Sequence, residues 1–357
     1  MVESLAPCYK LISDDGLTID GVMNVDIGGG TTDIQYYRMC AEGAANIVTS
    51  KYTSVLFAGD DLWGVGFENV KKIKKNSNNF TTSAQKVLKE TVINVVSKNN
   101  NAANKRIGDI SQNFPAKEFI NLLLRDVHKN FTNWLSMNQN NVCRKTMFLH
   151  YAAIIYYIGM WIRDDRHIKQ IPATINFTGM GSKYVRNLFA TDELATTDEN
   201  LTEFTKRILK SVVSSKYCPN DFKVQFEKNP KFATAEGAAL FATTDKQPAR
   251  NIVAYHAGYN GEGCMRKLAI QDLGTATELV MESFKEFLET YNGLPADINA
   301  IIIPKFDKQE LQTLIGKAEQ SMQQMHTEMN TKFQNSNQVT VSDSLFFWPL
   351  KGSLYDL

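Results

Sequence analysis

Val22-Met23-Asn24-Val25-Asp26-Ile27-Gly28-Gly29-Gly30-Thr31-Thr32-Asp33-Ile34 is the stretch that decides the fold of this chain. An apolar run ends at Asp26. Three glycines follow, then two threonines and a second acid, before a β-prone stretch resumes at Ile34. The pattern predicts a β-hairpin whose tip has no side chains over Gly28, Gly29 and Gly30. Such a tip presents backbone N–H groups as an anion-binding concavity. Glycine also lets a phosphate or another backbone come close. Thr31 and Thr32 add hydroxyl donors, and Asp26 is suited to hold a water or a hydrated cation beside a phosphate. The plainer account is a glycine-rich turn with polar flanks. A Walker A loop is excluded, because no Gly-Lys-Ser/Thr follows.

A second glycine turn lies about 150 residues downstream. Thr174-Ile175-Asn176-Phe177 reads as a short buried strand running into Thr178-Gly179-Met180-Gly181-Ser182, with a helix from near Lys183. Strand, glycine turn and helix start present N–H groups to an anion. The same arrangement also serves as a tight strand-to-helix turn in any α/β sheet. If both turns hold one ligand, they must approach within a nucleotide's length, ~15 Å for a cofactor-sized pocket.

Residues 26–33 resemble the second phosphate loop of the actin, heat-shock chaperone and sugar-kinase ATPase superfamily, and their wording is closest to its bacterial actin-like members. Four further stretches resemble the family in the expected order. Glu3-Ser4-Leu5-Ala6 resembles the connecting helix, and Phe57-Ala58-Gly59-Asp60-Asp61-Leu62 the glycine-acid start of the helix after the hairpins. Ile175 to Ser182 resembles the adenosine loop, and Ala235-Glu236-Gly237-Ala238-Ala239 the final helix. The resemblance spans roughly residues 1–245 and implies an α/β fold: the second lobe of an actin-like ATPase, a ribonuclease H-like mixed sheet with flanking helices. Residues 1–75 and 166–250 are then the lobe core, 76–165 a mostly helical insertion, and 251–357 a C-terminal extension with long helices.

The resemblance further implies ATP and Mg2+ as cofactors. Asp26 would be the catalytic residue, orienting the attacking water or holding the metal through water. Gly28, Gly29, Gly30, Thr31 and Thr32 would hold the terminal phosphate, and Gly179, Gly181 and Ser182 the adenosine and ribose side. ATP or ADP, and a protein partner or self-assembly, are the implied partners. Met180 departs from the family, which usually has glycine there. Its side chain either turns into the core or narrows the pocket. The family's first lobe opens with its own Asp-x-Gly-Thr hairpin, and only Asp272-Leu273-Gly274-Thr275 imitates it. Apolar residues at helical spacing follow, so Asp272 or Thr275 capping a helix is the better account. The chain is therefore expected to be one lobe only, as in a fragment.

Composition agrees with a folded, cytoplasmic protein: 357 residues, 43% hydrophobic and 22% charged. A formal charge of +1 argues against general nucleic-acid binding, which needs a basic excess. Five scattered cysteines without metal-ligand spacing suggest neither a disulfide framework nor a zinc site. The most apolar stretch, 151–162, is shorter than the ~20 residues of a membrane span, so a buried helix is expected.

Strands are expected within 21–57 and near 222–226. Helices are expected at 60–75, 84–98, 116–136, 143–163, 200–214, 232–242 and 276–291. Lys308 to about Gln334 predicts one long helix, with Leu311, Ile315, Ala318, Met322, Met325 and Met329 at alternating four- and three-residue steps. That seam either folds back on the 276–291 helix or takes a partner. Three functions follow: an ATP-binding lobe whose nucleotide state drives assembly or partner binding, a nucleotide-free scaffold that keeps the fold for interaction, or a small-molecule kinase. The kinase lacks a recognisable general base.

Overall fold

The computed structural model describes residues 10, 21–39, 47–63, 129, 132–133, 136, 141–165, 168–214, 216–227, 230–242, 250–252, 267–332, 338–340 and 344–354. The expected connecting helix near residues 3–6, the helix at 84–98 and most of the helix at 116–136 lie outside them, as does 64–75 of the 60–75 helix.

The described chain is α/β, built on a mixed sheet. Strands β1 (Val22–Ile27), β2 (Thr32–Met39) and β3 (Ile47–Val55) form an antiparallel meander. After a short helix α1 (Gly59–Trp63) and the long helix α2 (Asn141–Asp164), strand β4 (Thr174–Thr178) pairs parallel to β1. A 3-10 turn (Met180–Ser182), α3 (Lys183–Asn187) and α4 (Leu194–Val212) lead to β5 (Lys223–Phe226), parallel to β4. Helix α5 (Pro230–Ala242) follows, and the three-residue β6 (Arg250–Ile252) closes the other edge. The order across the sheet is β5-β4-β1-β2-β3-β6.

Alternation along the strands gives the sheet two different faces. Met23, Val25, Ile27, Ile34, Ile175 and Phe177 share one face, all 0–1% exposed. Helix α2 packs there. Residues 147–162 are buried all round, so α2 lies inside the protein rather than on its surface. Tyr151 meets Phe177 at 5.7 Å between ring centroids, and the hydroxyls of Tyr157 and Thr53 lie 3.4 Å apart. A Cβ at Gly159 would stand 2.9 Å from the Val212 side chain, so glycine lets α2 and α4 approach closely. The stretch expected to be a buried helix is one, and among the described residues no helix is long and apolar enough to cross a membrane.

The C-terminal region packs on the other side of α2. It comprises β7 (Lys267–Ala269), α6 (Ile270–Gly293), the two-residue strands β8 (Asp297–Ile298) and β9 (Ile301–Ile302), α7 (Lys308–Lys332), β10 (Gln338–Thr340) and α8 (Phe347–Leu354). Tyr156 meets Phe287 at 5.2 Å and Phe346 at 5.9 Å. In the seam of α7, Leu314, Ala318, Met322 and Met325 are buried, and Leu311, Ile315 and Met329 pack against the core. The seam is therefore folded back, covered by α6 and by α8, whose Gly352 sits directly against Ser321.

One expectation is corrected here. Helix α6 begins at Ile270, so Asp272, Gly274 and Thr275 lie within it. They form neither a second phosphate hairpin nor a helix cap, because the helical period starts two residues earlier than the polar residues suggested.

Candidate functional site

The hairpin forms where expected. Asp26 pairs with Asp33 and Ile27 with Thr32, leaving Gly28 to Thr31 as the turn. The Gly28 N–H donates to the Thr31 carbonyl at 2.9 Å, closing the turn, while Gly29, Gly30 and Thr31 are exposed. The second turn follows β4. Because β1, β3 and β4 run in the same direction, their C-terminal ends lie on one edge of the sheet. That edge is where α/β sheets commonly take ligands.

Three turns converge there. The Gly59 N–H donates to the Gly28 carbonyl at 3.1 Å. A Cβ at Gly181 would lie 2.6 Å from the same carbonyl, and one at Gly59 3.6 Å from the Gly181 Cα. The two glycine loops thus touch, well inside a nucleotide's length. A Cβ at Gly179 would collide with Asp26 Oδ1 and the Ile27 carbonyl, and its φ of 79° is in the left-handed region. Two independent reasons therefore require glycine at 179.

Not every candidate is equally open. Thr32 is fully buried, and its hydroxyl donates to the Phe57 carbonyl at 2.5 Å. The Ser182 hydroxyl donates to the Gly179 carbonyl at 2.7 Å, and its residue is buried. Both hydroxyls hold turns in shape. Gly30 contrasts with them: a Cβ there would meet nothing within 4 Å, and its φ is not positive. Met180 is 43% exposed, so it turns neither into the core nor against a neighbour that covers it.

Beneath the turns runs a polar row that the sequence reading passed over. Asn24, Asp26, Asp33, Gln35, Asn176 and Thr178 share the second face of the sheet by strand register. Asn24, Gln35, Asn176 and Thr178 are buried. Asn176 Nδ2 donates to Asn24 Oδ1 at 2.9 Å, and Asn24 Nδ2 to Thr178 Oγ1 at 3.4 Å. The Tyr52 hydroxyl donates to Asp33 Oδ1 at 2.8 Å. Burial first, then the Asp33 hydrogen bond and the charges of Asp33 and Asp26, push the Tyr52 phenol up to about 12. It therefore stays a donor at neutral pH. The i, i+2 spacing of polar residues inside apolar strands was the available signal.

A second group missed by sequence reading is His150. From the middle of α2 it reaches the Ala58 carbonyl with Nε2 at 3.1 Å and the Tyr184 hydroxyl with Nδ1 at 2.6 Å. Nothing in the sequence singled it out.

The arrangement is a backbone-lined edge flanked by Asp26, held against Gly179, and by Asp33, its partner across the hairpin. Its exposed peptide groups suit an anion, and Asp26 a hydrated cation. Among the described residues, no cluster of three or more histidine, cysteine, aspartate or glutamate side chains could hold a metal directly. No protein-family model matches the chain, and no curated protein matches it.

Proposed function

We propose that the converging turns bind the phosphates of ATP with Mg2+, and that the chain is a nucleotide-binding lobe of an actin-like or chaperone-like ATPase. The observation that carries this is Gly30. Glycine costs conformational entropy wherever it stands. At Gly30 neither a left-handed backbone nor a crowded neighbour accounts for it. Gly274, Gly293 and Gly316 are equally open but lie in helices; what sets Gly30 apart is its exposed turn beside the edge where Gly28, Gly59 and Gly181 meet, with room for a group from outside. In this reading Gly28, Gly29, Gly30 and Thr31 hold the terminal phosphate. Asp26 orients a metal-bound water, and Gly179, Gly181 and Ser182 shape the adenosine side. The mixed sheet, with the meander of β1–β3 extended by parallel β4 and β5, supports the lobe assignment. Nucleotide state would be coupled to assembly or to a protein partner.

The stretch that imitates a second hairpin in sequence, Asp272–Thr275, is helical and forms none. Half a phosphate clamp lacks donors that a transition state needs. The chain alone should bind weakly and turn over negligibly.

A second reading is favoured by a separate observation. Gly179 and Gly181 are glycines because strand β1 presses on them, and the hydroxyls of Thr32 and Ser182 are internally engaged. Four candidate positions thus have purely structural reasons, as a nucleotide-free interaction module would. Titration of the intact chain with a fluorescent ATP analogue, with and without magnesium, separates the two. Magnesium-dependent binding weakened by Asp26→Ala and Gly30→Ala supports the nucleotide lobe. No binding under either condition supports the scaffold.

A further inference from the structure

We infer that His150 is the positioning residue of the glycine-turn site, holding two of its three turns at a fixed separation and joining them to the C-terminal helix. This rests on the reading of the turns as a ligand site.

The argument begins with hydrogen-bond chemistry. The Ala58 carbonyl only accepts, so His150 Nε2 carries the proton and donates to it. In a neutral imidazole Nδ1 is then an acceptor, and it takes the Tyr184 hydroxyl proton. One ring thus fixes the carbonyl immediately before Gly59 and the side chain two residues after Ser182. These are the second and third members of the converging turns. The ring is fully buried, and burial pushes it down to about 3, so both bonds persist at neutral pH.

One face of the ring is also in use. Phe57 stacks on His150 with centroids 4.3 Å apart, and Phe347 stacks on Phe57 at 4.7 Å. Phe347 opens α8, and Phe57 carries the carbonyl that Thr32 grips. A continuous path of rings and hydrogen bonds therefore runs from α8 through Phe57 to the β1–β2 hairpin, and through His150 to α3. Packed rings do not deform continuously. A shift of α8 must either move the Phe57–Gly59 turn or break the stack. The C-terminal region consequently bears on the spacing of the turns without touching a ligand.

The test uses the full chain and three variants: His150→Gln, Tyr184→Phe and Phe347→Leu. Tyr184→Phe deletes one hydroxyl and keeps the ring, so it serves even where His150→Gln fails to fold. Three signals are read. Imidazole 15N shifts of the wild type should report a neutral Nε2–H tautomer, and Tyr184→Phe should move the Nδ1 resonance. Amide exchange should rise in residues 56–62 and 179–188 in each variant, while β1 and β2 stay protected. Magnesium-dependent binding of the fluorescent ATP analogue should weaken by about 10-fold, which corresponds to about 1.4 kcal/mol. An Nδ1–H tautomer overturns the inference. So does exchange at both turns that is unchanged or raised uniformly across the lobe. Local loosening in the variants, with a wild type that binds no nucleotide, sinks the ligand reading instead and shows the clamp to be structural.

Discussion

The two glycine turns look alike in sequence and differ in what makes them glycine. In the second turn the fold itself excludes a side chain: Gly179 has a φ of 79° and abuts Asp26, and Gly181 abuts the Ile27 and Gly28 carbonyls. In the first turn Gly30 faces open space with no positive φ. Glycine therefore means contact with the protein's own backbone at one turn and room for something else at the other. The second turn is the support, and in the proposed reading the first is the surface offered to a ligand.

The strongest way to break this comparison is Gly179→Ala. A methyl group there meets Asp26 and the Ile27 carbonyl in a backbone conformation that alanine adopts only with strain. A loss of ~3 kcal/mol or more is expected in urea unfolding. A variant as stable as the parent would remove the close approach from the account.

Thr32→Val probes the hydroxyl that ties the hairpin to the third turn. The shape is kept, but the buried Phe57 carbonyl loses its donor. The expected loss is about 1–3 kcal/mol. A neutral result would mean that this hydroxyl does not tie the hairpin to the third turn.

Acid should loosen both turns through His150. Its imidazole is held down to about 3 by burial, against ~6.5 in the unfolded chain. Below ~6.5 the unfolded state takes up a proton that the folded state refuses. Stability from this group is thus fully present above that pH and falls as pH drops toward 3, by at most about 1.4 kcal/mol per unit. Unfolding free energies of the wild type and His150→Gln between pH 5 and 7 should diverge in slope. Parallel slopes would contradict a neutral buried imidazole.

Gly30→Ala sharpens the comparison from the other side. Nothing crowds the site, so stability should change by under about 1 kcal/mol, with either sign. Binding of the ATP analogue should nevertheless weaken. A variant with unchanged stability and unchanged binding would leave Gly30 without a ligand role.

Local pattern made much of the fold legible. Helix α7 was expected over 308 to about 334 and ends at Lys332, with its methionine seam on the buried side. The strand at 174–177 and the 143–163 helix also form close to their expected bounds. These elements are written in local periodicity, which a sequence displays directly. The start of α6 was misread, because Asp272 and Thr275 have the chemistry of caps but lie inside the helix.

The candidate site was legible in its glycines and in Asp26. The sequence by itself determined the hairpin, the second turn, and the placement of both after apolar strands, since residue type and spacing specify turns locally. Only the tertiary structure decided which glycines are spent on packing, which hydroxyls are already bound, and that His150 links Ala58 to Tyr184 across 92 and 34 residues of chain. Those are contacts between segments remote in sequence. Their existence depends on how strands align and how closely backbones approach, and no single segment encodes either.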